Sequence, residues 1–108
     1  MPIIFVESQY PASKSKEVVA AWLKALEKYP RPEGLVTPLV ESAVTGDKCG
    51  LRVLSASKTH PGKYEEAAAY TAKFMTEFFD IEGFYYEVRT WMTIEEAMES
   101  IGKKAPER

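Results

Sequence analysis

Two stretches of helical periodicity enclose two consecutive β-type stretches, with one more β-type stretch on each outer side. This order constrains the chain more than any other feature. Val19, Trp22, Leu23, Leu26 and Tyr29 recur at helical spacing, with Lys16, Glu17, Lys24, Glu27 and Lys28 on the remaining positions. Ser13 or Ser15 can cap that helix. Pro30 and Pro32 end it, because proline lacks the N–H and clashes with the preceding turn. The second helix follows Pro61-Gly62, with Pro61 suited to the first helical position. Its inward stripe reads Tyr64, Ala67, Ala68, Thr71, Phe74, Met75 and Phe78. The alanines permit a close approach to a sheet.

The β-type stretches are 3–10, 35–44, 49–58 and 84–92. Gly46-Asp47 marks a hairpin between the middle two. The order β-α-β-β-α-β is the ferredoxin-like α+β arrangement: a four-stranded antiparallel sheet with both long helices on one face. Right-handed crossovers set the strand order 4-1-3-2. Pro38 then falls on an edge strand, where a missing donor is tolerated or absorbed by a bulge. Thr93-Ile94-Glu95-Glu96 reads as a capping box for a short last helix, and Gly102 suits its left-handed C-terminal position. The 108 residues fit one domain, expected over 1–102, with a flexible tail over 103–108.

Helices on one face leave the other to solvent or to a partner. Alternation along the strands puts Glu7, Arg52, Glu87 and Arg89 on that open face, together with Ile3, Phe5, Leu54 and Tyr85. The mixture is too apolar to be simply solvated, so it reads as an interface. Two such sheets face to face would close a barrel, so the expected partner is a second copy, in a homodimer or a higher assembly. The segment IIFVESQYP, the helices opened by PAS and PG, and the ending FYYEVRTWMTIEEAMESIG resemble the dimeric α+β barrel superfamily. The ending is most similar to its small members of unknown function. The resemblance implies a dimeric barrel with an internal cavity. The superfamily hosts cofactor-free oxygenases, haem-degrading enzymes, isomerases and ligand sensors, so the fold does not choose among activities.

Composition narrows the partners. With 14 basic and 16 acidic residues the formal charge is −2, which argues against nucleic acid. The stretch 48–55 also lacks the aromatics on which RNA-binding domains of this element order stack bases. The single cysteine, Cys49, cannot form an internal disulfide, and a reducing cytoplasm is its expected setting. No stretch reaches the roughly 18 apolar residues of a membrane helix, and the first residues do not read as a secretion signal.

For function, the expected site is the charged cluster inside the barrel: Glu7, Arg52, Tyr85, Glu87 and Arg89, with His60 at the rim. It would hold a small apolar or aromatic acid, with arginine gripping the carboxylate. Cross-strand ion pairs that only settle an interface explain the same charges. The competing readings are a non-catalytic interaction module and haem binding through His60, the only histidine. No catalytic motif decides whether the protein is an enzyme, and no cofactor is expected. One cysteine and one histidine make zinc a poor fit, so no metal is expected.

Overall fold

The first eight-residue strand, β1 (Ile3–Tyr10), lies inside the sheet and pairs antiparallel with a neighbour on each side. The structure, a computed structural model, describes residues 1–104 and 106. The elements after β1 are α1 (Ser15–Lys28), β2 (Val36–Asp47), β3 (Gly50–Thr59), α2 (Tyr64–Met75), β4 (Tyr85–Trp91) and α3 (Ile94–Ser100). The sheet order is β2-β3-β1-β4, the expected 4-1-3-2 seen from the other edge. The chain is an α+β protein of ferredoxin-like build. The expected tail over 103–108 lies partly outside the described residues.

Pro38 does what its chemistry demands. It sits on the edge strand β2, and the pairing with β3 slips on its far side, between Pro38 and Val40 and again between Val40 and Ala43. The capping box forms: the Thr93 amide donates to Glu96 Oε1 at 2.9 Å, and the Glu96 amide donates to Thr93 Oγ1 at 3.2 Å. At the other end of α3, Gly102 takes φ +74°, and Lys103 N–H reaches back to the Met98 carbonyl.

Three local expectations are corrected. The hairpin turns at Lys48-Cys49, because the ladder continues to the pair Asp47 and Gly50. The Asp47 carboxylate accepts from the Cys49 amide at 2.7 Å, and the left-handed conformation falls on Gly50 at φ +132°. Pro61-Gly62 makes a turn before α2, not its first residues. Lys63 N–H donates to the His60 carbonyl at 3.0 Å and Gly62 has φ +73°, the type II pattern with proline second and glycine third. Neither serine caps α1; Ser15 Oγ donates backwards to the Ala12 carbonyl at 2.7 Å, across a preceding 3₁₀ turn.

The helices cover one sheet face, but they do not fill the space beneath them. Buried side chains form two separate clusters. One gathers Tyr10, Val18, Met75 and Phe78, with Phe84 stacked on Phe78 at 4.8 Å. The other joins Ile4, Leu35 and Ala67. The expected inward stripe of α1 is also rotated. Val18 and Ala25 are the buried residues of that helix, whereas Val19, Trp22, Leu23 and Leu26 are each about half exposed. The short side chains let α1 approach the segment 76–78 that follows α2, and the long ones lean over an opening.

Candidate functional site

That opening leads to a chamber of about 710 Å³ between the sheet and both helices, in contact with both buried clusters. Its origin is legible in residue sizes. The helix-facing positions of β1 and β3 include Ser8, Ser55 and Ser57, where a filled core would carry branched apolar side chains. Register puts each beside an apolar neighbour: Val6 with Ser55, Ser8 with Val53, Ile4 with Ser57. On the helix side Ala67 and Thr71 face the same space. Small residues on both walls leave a volume within the roughly 300–1,000 Å³ usual for ligand pockets.

The chamber is apolar along most of its walls and polar at one end. Phe74, Phe78 and Phe84 line it; Val19, Trp22, Leu26 and Val44 are lining residues that remain half exposed, so they form the rim. At the polar end Arg31 pairs with Glu41 at 3.1 Å. The Tyr70 hydroxyl donates to the Tyr29 carbonyl at 2.7 Å. Burial pushes the Tyr70 phenol above its usual range, and the nearby Arg31 charge pulls the other way.

The residues expected from the sequence to form a site sit on the face where parity put them, away from this chamber. Glu7, Arg52, Tyr85, Glu87 and Arg89 are brought together on the open face, on the other side of the sheet from the chamber. Arg52 is 3.8 Å from Glu7, and Arg89 is 3.0 Å from Glu87. Glu7 stands directly opposite Glu87 in the register, so each like charge has an arginine beside it. Tyr85 points away from the helices and is 72% exposed. None of the five lines the chamber.

His60 is apart from both groups. Its Nδ1 lies 2.8 Å from the Gly34 carbonyl, which can only accept, so Nδ1 carries the proton. Nε2 lies 2.8 Å from Thr37 Oγ1 and hydrogen-bonds that hydroxyl. Together with the bond from His60 N–H to the Leu35 carbonyl, these contacts tie the end of β3 to the start of β2. Axial ligation of haem would have to free Nε2 from Thr37. Cys49 is an exposed thiol at the tip of the hairpin. Among the described residues no helix is long and apolar enough to cross a membrane, and no group of three metal-type ligands forms.

The serines on the inward parity were the available signal for the chamber. Polar residues at alternate strand positions normally mark the solvent face, yet here the opposite parity carries the charges, so Ser8, Ser55 and Ser57 have to point at the helices. No family model matches the chain, and no curated protein matches it in sequence. Among solved structures it is similar to the de novo designed protein Foldit4, at 12% identity and a TM-score of 0.58, over 85% of this chain and 97% of that one. That likeness concerns the fold alone, so what this chain is similar to is an α+β architecture and not an activity.

Proposed function

We propose that this protein binds a small, largely apolar molecule in the chamber between its sheet and helices, and that two copies meet through their open sheet faces, as in the dimeric α+β barrels that the sequence resembles. The observation that carries the binding reading is the chamber itself, whose aromatic and aliphatic walls interrupt the core. An apolar guest there would restore the contacts that the serines and alanines leave unmade. The reading is one of binding, because apolar side chains make up most of the lining residues described.

The two tryptophans make the test direct. Trp22 stands at the chamber rim, and Trp91 is on the open face, opposite Ile3 in the register. A neutral naphthylamine probe is expected to saturate at one per chain and to quench tryptophan emission. The quench should vanish in Trp22→Phe and persist in Trp91→Phe. Ser55→Phe, which narrows the chamber, should weaken uptake while circular dichroism stays unchanged. Uptake undiminished in Ser55→Phe, or a quench that follows Trp91, overturns the reading.

A further inference from the structure

The polar end of the chamber says more about the guest. Arg31 and Glu41 are the only charged side chains among the lining residues described. They bond to each other, at 3.1 Å, but they are not equivalent: the Glu41 side chain is 72% exposed and that of Arg31 42%. Glu41 therefore reaches the guanidinium from the water side. Arg31 belongs more to the wall, close enough to the Tyr70 hydroxyl for its charge to be felt there. A guanidinium forks onto carboxylates, and Glu41 is a carboxylate already in that position.

We infer that the guest is an amphipathic carboxylate whose head group replaces Glu41 on Arg31 while its apolar body fills the chamber. This rests on the chamber reading above and names the chemistry at its polar end. The exchange is balanced electrostatically. Arg31 keeps a partner throughout, so no charge is left unpaired in a half-buried place. Glu41 swings into water, where it is already mostly solvated. A cationic guest has no such route: it would compete with Arg31 for the outer, wetter partner and leave the guanidinium bare. The bulges of β2 on either side of Val40 loosen the ladder beside Glu41, which gives that side chain room to move.

Dodecanoate and dodecanol, equal in chain length and different in head group, form the test, read through Trp22 emission. In the unmodified protein the acid is expected to bind about tenfold tighter than the alcohol, consistent with a charge-assisted hydrogen bond. Arg31→Gln should erase that preference, weakening the acid far more than the alcohol. Glu41→Gln removes the competing carboxylate and should tighten the acid severalfold without affecting the alcohol. If Arg31 and Glu41 served only to brace the fold, both substitutions would shift acid and alcohol alike. Equal affinity for the two probes in the unmodified protein, or a preference retained in Arg31→Gln, overturns this inference and leaves the chamber standing. Failure of both probes to bind removes the chamber reading itself.

Discussion

Gly50 shows how much one residue can decide in this fold. A Cβ built there would lie 2.2 Å from the Tyr10 carbonyl oxygen, and φ is +132°. Both the backbone conformation and the space exclude a side chain. Gly50→Ala is expected to cost about 3 kcal/mol, read as a lower urea midpoint at unchanged slope. Glu96 gives a pH-dependent counterpart. The Met1 ammonium beside it, and then the Thr93 amide, lower its carboxyl to about 2 from a usual 4.5. The folded pKa is depressed, so its stabilising effect is fully present above about pH 4.5 and fades as pH falls towards 2. Glu96→Gln should flatten the acid limb of a stability–pH curve in that window and leave the neutral slope alone. At this scale the sequence was readable wherever a motif has a single meaning. Thr93 to Glu96, Gly102 and Pro38 each did what their types imply. Pro61-Gly62 has two meanings, helix start and type II turn, and only the distance from His60 to Lys63 separates them.

Between elements, the order of strands and helices and the parity of each strand were legible, because alternation and breakers act locally. The rotation of α1 was not. Its apolar residues cover a wide arc, and which part faces inward depends on where the helix meets α2 and the segment 76–78 after it. Ala21 and Ala25 allow that approach on one flank, and the chamber takes the other. Parity likewise placed Glu7, Arg52, Tyr85, Glu87 and Arg89 together on the open face, whereas a void on the helix side shows only in the packing. If the chamber is unfilled space and not a compensated feature, filling it has a definite effect. Ser57→Leu should raise stability by about 1 kcal/mol in chemical denaturation while lowering uptake of the neutral probe. A loss of stability would mean that the serine hydroxyl supports the sheet in a way the chamber account omits. His60→Ala belongs at this scale too. Losing its two ring contacts should destabilise the β2–β3 junction by about 1–2 kcal/mol, with no change in dodecanoate binding.

The dimensions of the whole molecule bear on the proposed pairing of sheets. The radius of gyration is 15.8 Å, against about 13 Å for a compact domain of this length. The accessible surface is 7661 Å², roughly 1,600 Å² more than a folded monomer of this mass usually exposes. A stable dimer covers about 800 Å² on each partner, so the surplus is ample for one. The open face offers a suitable place. Register puts Phe5 between Ala56 and Arg89, and Phe5 packs against the Trp91 ring at 5.7 Å. Glu7 pairs there with Arg52 and Glu87 with Arg89, which limits like-charge repulsion between two copies. Light scattering at micromolar concentration should therefore return twice the 12.2 kDa chain mass. Phe5→Glu replaces that ring with an added carboxylate in the middle of the contact and should return the single-chain mass. Ser57→Leu, on the opposite face, should leave the dimer intact. The chamber lies on the helix side of the sheet, so Phe5→Glu should still take up the neutral probe, provided circular dichroism shows a folded subunit. A single-chain mass for the unmodified protein at these concentrations would remove the sheet-to-sheet pairing and leave the extended shape as a property of the lone chain.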